Sequence, residues 1–530
     1  MAIRDDHLLR ATWTDDQNEL PPHALHWLRR EIGLPEVRTP KRDVTASPSR
    51  LPENIRAGLA EILGEDHVLT DDTARLGRAG GLSYLDLLRH KESGDIAAPD
   101  AVVLPGDPDE VTAVLVACAE WGVGVVPFGG GTSVVGGVSA LRGDKQAVVA
   151  LDLVRLDRLV SVDPVSRLAV LQAGMRAPDA EKALAGHGFT LGHVPQSFER
   201  ATIGGFAATR SAGQASAGYG RFEDMVEAVR VATPRGEWRL GVAPASAAGP
   251  DLRQLVVGSE GALGVITEVT VRVRPLPVEP RYEGFVLDGW ERGVEAVREL
   301  AQRQVLADVT RLSDVDETAV SFALSGGLKV KALKAYLKAR GIAEPCLLIL
   351  GWERDVKRRR AATVKSLRGA VSLGKPLGSA WRHGRFAGPR QRDALMNVGV
   401  CVETLETATH WSQLSELRSA VRAALTESLG KAVVMCHVSH AYETGASLYF
   451  TAIAARDSED PFGQWSRAKE RASLAISGLG TISHHHAVGV DHAPYLPAEI
   501  GALGVEVLAA VKDVLDPTGV LNPGKLIPRS

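Results

Sequence analysis

The apolar positions of this chain fall into short runs and helical stripes, and their spacing predicts most of its elements. From about residue 100 the pattern is dense. "DAVVLP", "AVVALDL" and "RLAVLQAG" are apolar runs bounded by turn residues, and they predict short buried strands. "DPDEVTAVLVACAEWG" predicts an amphipathic helix, with acids in its first turn and Gly122 after it. "APDAEKALAGHG" predicts another helix. "VGVVPFGGGTS" reads as a strand that breaks into glycines, and "GVITEVTVRVRPLP" (264–277) as a long strand ended by prolines.

The flanks differ. "LPENIRAGLAEILG" (51–64) predicts a helix with Pro52 at its start. Residues 1–50 are polar and carry "LPP", "RTPKRD" and "TASPSR". They predict an irregular arm laid over the main body, with Trp13 and Trp27 as anchors. Beyond residue 277, "WERGVEAVRELAQRQ" and "WSQLSELRSAVRAALTES" predict helices, while "PCLLILGWE", "KAVVMCHVSH" and "ASLYFTAIAA" predict strands. The expected organisation is an N-terminal arm and helical region (1–97), a first large domain (98–277), an α+β cap (278–490) and a C-terminal segment (491–530) returning to the first domain. There is no internal repeat and no low-complexity tract.

Composition narrows the function classes. The 530 residues are 45% hydrophobic and 24% charged, with a net charge of −3, which is ordinary globular composition and argues against a nucleic-acid partner. Four cysteines stand far apart with no CxxC, so no disulfide framework is expected and a reducing compartment fits. The polar N-terminus is not a signal peptide and no apolar run is long enough to span a membrane. A cytoplasmic protein is expected, not secreted and without a peroxisomal signal. The basic run "RDVKRRRAATVKSLRG" (354–369) reads as a solvated helix face, with peripheral membrane contact as the alternative.

"GTISHHHAVG" (480–489) places His484, His485 and His486 side by side. In a strand His484 and His486 would share a face; in a helix the rings would fan out by about 100° per step. Neither lets three adjacent rings converge on one tetrahedral metal, so no metal is expected. A metal would need help from His437, His440 or His492.

Three glycine clusters suggest a cofactor held largely by backbone. "PFGGGTSVVGG" (127–137) follows a strand and offers N–H groups and hydroxyls to an anion, without the spacing of a Rossmann or Walker loop. "PQSFERATIGGFAATRSAGQASAGYGRFEDMV" (195–226) and "VVGSEGALGVITEV" (256–269) are the others. The combination of "GGGTS", "TIGGFAATRSAG" and "GSEGALGVITE" resembles the flavoproteins of the vanillyl-alcohol-oxidase superfamily. That resemblance implies an α+β fold, with a two-subdomain PCMH-type FAD-binding domain and an α+β cap, and non-covalent FAD. The FAD-binding residues implied are Pro127, Phe128, Gly129, Gly130, Gly131, Thr132 and Ser133. From the second cluster come Gln196, Ser197, Thr202, Gly204, Gly205, Thr209, Arg210, Ser211 and Ala212. The third supplies Glu260, Gly261, Ala262, Leu263, Gly264, Val265 and Ile266.

The second half lacks the His-x-Gly-Asp motif of the D-lactate and glycolate dehydrogenases of that superfamily. "RLGRAGGLSYLDLLRH", "ADVTRLSD", "LETATHW", "GASLYF" and "ISHHHAVG" instead resemble the alkyldihydroxyacetonephosphate synthase family, from about residue 50 to 530. This implies exchange of the acyl chain of acyl-dihydroxyacetone phosphate for a fatty alcohol, through the flavin and without net redox change. By the same resemblance Tyr449 is the acid/base, His484, His485 and His486 and Arg311 belong to the active site, and Arg392 binds the substrate phosphate. A lipid-like substrate and a homodimer are expected. The alternative is an FAD-dependent oxidase or dehydrogenase of a hydroxy acid or alcohol. The chain departs from the family at "VDHAPYL" after the triplet, where a basic stretch is usual.

Overall fold

The helix Pro108–Trp121 and the strand after it show why the first half folds as it does. In this computed structural model, which describes residues 20–35, 44–92, 94–325 and 327–528, the Asp107 side chain accepts from the N–H groups of Asp109 and Glu110 and starts the helix. Gly122, left-handed at φ 63°, ends it. The chain turns directly into the strand Val123–Phe128, which pairs in parallel with Ala147–Asp152. These two lie in a four-stranded sheet with Ala101–Val103 and Val68–Leu69. A five-stranded antiparallel sheet follows, in the order Gly236–Leu240, Val226–Thr233, Val265–Arg272, Leu168–Gln172, Leu159–Asp163. One apolar core joins the two sheets, with Val114, Leu115, Val125, Val149, Val229 and Val269 among its buried members.

The end of the chain covers the open edge of the first sheet. Val125 N donates to Val520 O and Asn522 N donates to Val125 O, both at 2.8 Å, so the 520–522 segment extends the ladder by a bridge. Lys512 Nζ donates to Ala262 O, Leu521 O and Asp516, which fixes the helix Leu496–Leu515 beside the third glycine cluster.

The second half is built on a seven-stranded antiparallel sheet. Four of its strands run side by side as Val309–Ser313, Ala432–Ala441, Gly445–Ala455 and Val400–His410. Side chains alternate along them. Leu405, Phe450 and Cys436 enter a buried core beneath the helices Trp290–Gln302, Leu414–Leu429 and Pro461–Ile476. The other face carries the polar residues described below.

One expectation needs correction. Residues 22–32 are not irregular: Pro22–Ile32 is a helix closed by left-handed Gly33, with Ala24, Leu28 and Ile32 buried. Leu28 and Ile32 join the core of the second half and Trp27 packs against it, so this helix belongs to the cap. The polar residues between its apolar ones simply face water. Trp13 lies outside the described residues. The basic run forms the expected helix, Val356–Ser366, with Lys357, Arg358, Lys365 and Arg368 exposed to solvent and three arginines turned to buried acids. Arg354 and Arg359 pair with buried Asp308, and Arg360 with buried Glu283. The four cysteines are buried and unpaired. No helix among the described residues is long and apolar enough to cross a membrane.

Candidate active site

Pairing across the sheet places three polar side chains in one row. Glu406 lies directly opposite Tyr449, and Tyr449 directly opposite His437. Directly opposed residues share a face, so the three project together. His437 stacks on Tyr449 at 4.9 Å between ring centroids, with 21° between planes.

A loop closes over the Glu406 end of this row. The carboxylate, 3% exposed, accepts from the backbone N–H groups of His484 (2.8 Å), His485 (2.9 Å) and His486 (2.7 Å), and from Ser483 Oγ (2.9 Å). Neither strand nor helix geometry applies to the triplet. The backbone curls round one anion, a nest of successive N–H groups, and the left-handed Ala487 (φ 72°) completes the turn. The rings then converge. His485 stacks near Tyr449 at 6.1 Å and His486 meets it edge-on at 5.6 Å. Glu260 steadies the far side of the loop by accepting from the N–H groups of Val488 and Gly489 at 2.8 Å.

The electrostatics follow from burial and from these contacts. Burial raises the Glu406 carboxyl, but the histidines around it outweigh that and hold it well below the usual carboxylate range. Burial also depresses His484 strongly and His486 to about 3, so both stay neutral at pH 7. Desolvation pushes the half-buried Tyr449 phenol up to about 12; Thr404 and Arg392 favour the phenolate without overcoming it. The Tyr449 phenol is thus protonated at neutral pH.

The structure brings the sequence-predicted residues together. Arg311 Nη2 lies 3.1 Å from His437 Nδ1 and 2.8 Å from Glu317 Oε1, which is itself 3.0 Å from that nitrogen. His437 Nδ1 can accept from the arginine or donate to the glutamate, not both. Burial outweighs the carboxylate and lowers the His437 pKa. Arg392, on the helix Gly388–Asn397, has a side chain only 13% exposed and pairs with Glu403 at 3.5 Å. Its buried Nε has no partner among the described residues. That leaves a buried guanidinium with capacity for an anion.

Tyr442 emerges as a residue that spacing alone did not single out, beside His440, already a candidate to help the triplet. Tyr442 Oη is 2.6 Å from His484 Nε2, and His484 Nδ1 is 2.9 Å from His485 Nδ1. His440 Nε2 binds Gly213 O at 3.0 Å, and its Nδ1 lies 2.8 Å from Ser439 Oγ. His440, His484 and His485 bring ring nitrogens within 4.8 Å of one another, a spacing that could hold a metal ion. The outside help the triplet would need is therefore His440, while His492 Nδ1 bonds Ala487 O. Both nitrogens of His440 and of His484 already have protein partners, so the group forms a hydrogen-bonded chain. Glu406 sits inside "LETATHW", but nothing in that motif says what its carboxylate binds.

The three glycine clusters pack into one another. A Cβ on Gly130 would run into the Arg200 carbonyl oxygen, and one on Gly129 into Thr202 Oγ1, so the first cluster touches the second at its backbone. A Cβ on Gly261 would lie 2.7 Å from Pro127 Cγ, joining the third to the first. Gly258 N and Glu260 N donate to Ala207 O and Ala208 O, joining third to second. Ser133 Oγ accepts from Gly137 N, Thr202 caps the turn at Gly205, Thr209 Oγ1 donates to Gly205 O, and Ser211 Oγ meets His193. Several residues expected at the cofactor are engaged elsewhere through their side chains. Arg210 binds Val257 O and Gln254, Glu260 holds the histidine loop, and Gln196 accepts from Gln214. Ala262, Leu263, Val265 and Ile266 are buried in apolar cores, so they can meet a ligand only through backbone, and Phe128 is buried as well. The buried Ser259 Oγ has no partner among the described residues.

Comparison with known proteins decides what this arrangement belongs to. Residues 99–240 match the family model described as FAD binding domain, and residues 276–526 that described as FAD linked oxidases, C-terminal domain. The chain is 32% identical to the alkyldihydroxyacetonephosphate synthase of Trypanosoma brucei brucei, over 89% of this chain and 80% of that protein. It belongs to the alkyldihydroxyacetonephosphate synthase family. The Dictyostelium discoideum synthase is 31% identical, over 91% of this chain and 82% of its own length. A solved alkyldihydroxyacetonephosphate synthase superposes with a TM-score of 0.83 at 28% identity, covering 95% of this chain and 92% of that one. The chain is thus an FAD-dependent enzyme with the α+β fold expected from its sequence. The interlocked, Cβ-free backbone of the glycine clusters and the orphaned Ser259 hydroxyl fit that cofactor.

Proposed function

We propose that this protein exchanges the acyl chain of acyl-dihydroxyacetone phosphate for a fatty alcohol, with its FAD held non-covalently. The observation that carries the reading is Tyr449 set among His437, His485 and His486, with the incompletely partnered Arg392 guanidinium acting on the same phenol. Such a site handles protons and an anion. In the exchange, the bond from C1 to the acyloxy oxygen breaks and a bond from C1 to the alcohol oxygen forms. The products are the ether ketone phosphate, a fatty carboxylate and one proton, and no electrons are gained or lost overall. Bound FAD supplies a reversible electron sink beside the substrate carbon.

The chain's own residues divide the remaining work. Arg392 offers a planar fork to the phosphate. Tyr449 exchanges the proton at the substrate carbon, with the His485 ring beside it. Arg311 orients His437 against the Tyr449 ring. The test is to incubate the holoprotein anaerobically with acyl-dihydroxyacetone phosphate and labelled fatty alcohol. One fatty acid released per ether product, with the flavin oxidised at the end, is the expected result. Stable flavin reduction that the alcohol cannot reverse would mark an oxidase or dehydrogenase instead.

A further inference from the structure

The exchange just described, on which this inference rests, releases one proton per turnover at neutral pH. The alcohol enters with its O–H, and the fatty acid leaves as a carboxylate. That proton must leave a site where His484 is 5% exposed and Glu406 3%. Glu406 cannot be its store, because four N–H or O–H donors and the surrounding histidines hold it ionised.

We infer that Tyr442, His484 and His485 form the proton exit from the active site, with Tyr442 as its outer end. The chain is continuous. His485 Nδ1 meets His484 Nδ1 at 2.9 Å, and His484 Nε2 meets Tyr442 Oη at 2.6 Å. Tyr442 is 37% exposed, so the residue at the outer end of the chain borders solvent. Each imidazole joins the chain through one nitrogen and passes the proton from the other. With His485 carrying its proton on Nδ1 and His484 on Nε2, every N–H points outward. A proton taken up at His485 Nε2 then lets Nδ1–H pass to His484. His484 passes Nε2–H to Tyr442, and Tyr442 passes its own to water. Each residue gains one proton and loses one, and no electrons move; both imidazoles end in the opposite tautomer and return to the first before the next turnover.

The groups packed round the chain favour passage over storage. Arg221 Nη2 donates to His484 O at 2.7 Å, and the His440 ring lies 4.9 Å from the His484 ring. Burial above all, then His440 and His485 and least Arg221, disfavours a resting charge on His484, and burial holds the Tyr442 phenol protonated. Glu406, 3.4 Å from His485 Nδ1, stabilises a passing charge at the inner end. Glu223 pairs with Arg221 at 2.8 Å. Tyr442 and His484 act through His485 and are relay residues, not groups that touch substrate.

The experiment compares wild-type holoenzyme with Tyr442→Phe and His484→Gln. Ether-product formation by the wild type is measured first; its failure would sink the exchange reading, not the relay. Given that activity, Tyr442→Phe should lower kcat about 10²-fold, the lower range for loss of a positioned proton-transfer group, with KM unchanged. The solvent deuterium isotope effect should rise, and small buffers such as imidazole should restore rate in proportion to their concentration. His484→Gln, which keeps hydrogen-bonding capacity without a second ring nitrogen, should behave alike with FAD retained. An unchanged kcat and isotope effect in Tyr442→Phe would overturn the relay. So would a loss of rate in both variants that buffer does not restore, since that marks a structural role.

Discussion

Glu406 and Tyr449 face each other directly across the pairing of two antiparallel strands. The carboxylate that shapes the histidine loop and the phenol proposed to move protons are thus neighbours by sheet register. A one-residue slip of the strand Val400–His410 would turn Glu406 into the apolar core. The register is protected by Leu405 and Phe450, which are buried on the other face of the same pair of strands.

Removing the Glu406 carboxylate should undo the loop. Glu406→Ala leaves three backbone N–H groups and the Ser483 hydroxyl without their acceptor. A loss of about 3–5 kcal/mol in unfolding free energy is expected, as for breaking a buried charged network, with activity abolished. Glu406→Gln keeps one acceptor oxygen and should cost less stability, yet still lose most activity. Denaturant unfolding of the two variants, alongside turnover, checks both statements.

Tyr449→Phe should retain FAD and fold normally, because the ring contacts with His437 and His485 survive. Its turnover should fall about 10²–10⁴-fold, the usual range for loss of a general acid or base. A variant that keeps wild-type rate would remove Tyr449 from the chemistry.

Arg392→Lys tests the phosphate contact. The buried guanidinium has one nitrogen to spare beyond its pairing with Glu403. An ammonium cannot reproduce the fork, so KM for the phosphate-bearing substrate should rise about tenfold or more. KM for the fatty alcohol should stay put. Equal rises in both would point to general damage.

Gly130→Val should abolish flavin retention. Any Cβ there collides with the Arg200 carbonyl and separates the first two glycine clusters. The flavin absorbance of the purified protein reads the outcome directly, and denaturation of the wild type should leave all flavin in the supernatant if FAD is non-covalent.

Stability should fall as pH drops below 6.5. His193, His440 and His486 are each depressed by burial from 6.5 to about 3. Between those values the unfolded chain binds protons that the folded chain refuses, so each group lowers stability on acidification. The slope is up to about 1.4 kcal/mol per pH unit for each group. The slope fades above pH 7 and is negligible above about pH 8. His193→Asn should flatten the profile between pH 6.5 and 5, measured by denaturant unfolding, if it remains folded.

The elements were legible in the chain where local chemistry decides them. "DPDEVTAVLVACAEWG" carries its own cap, first-turn acids and terminal glycine, and it forms the helix Pro108–Trp121. "ASLYFTAIAA" and "KAVVMCHVSH" become adjacent strands, with Tyr449 opposite His437. The helix Pro22–Ile32 was not legible, because its stability comes from burying Ala24, Leu28 and Ile32 against a cap formed hundreds of residues later.

By itself, the sequence determined the alternation of elements, the glycine positions and the side chains available for chemistry. These depend on hydrophobic period, turn geometry and residue type, all of which act over a few neighbours. Only the tertiary structure decided how three adjacent histidines could converge. The acceptor that curls their backbone is Glu406, 78 to 80 positions away along the chain and brought near by strand pairing. A carboxylate's partners are set by which donors the fold delivers to it in the absence of water, and no local pattern records that. The same holds for Tyr442 and His484, whose contact exists because the turn after one strand meets a loop placed by another.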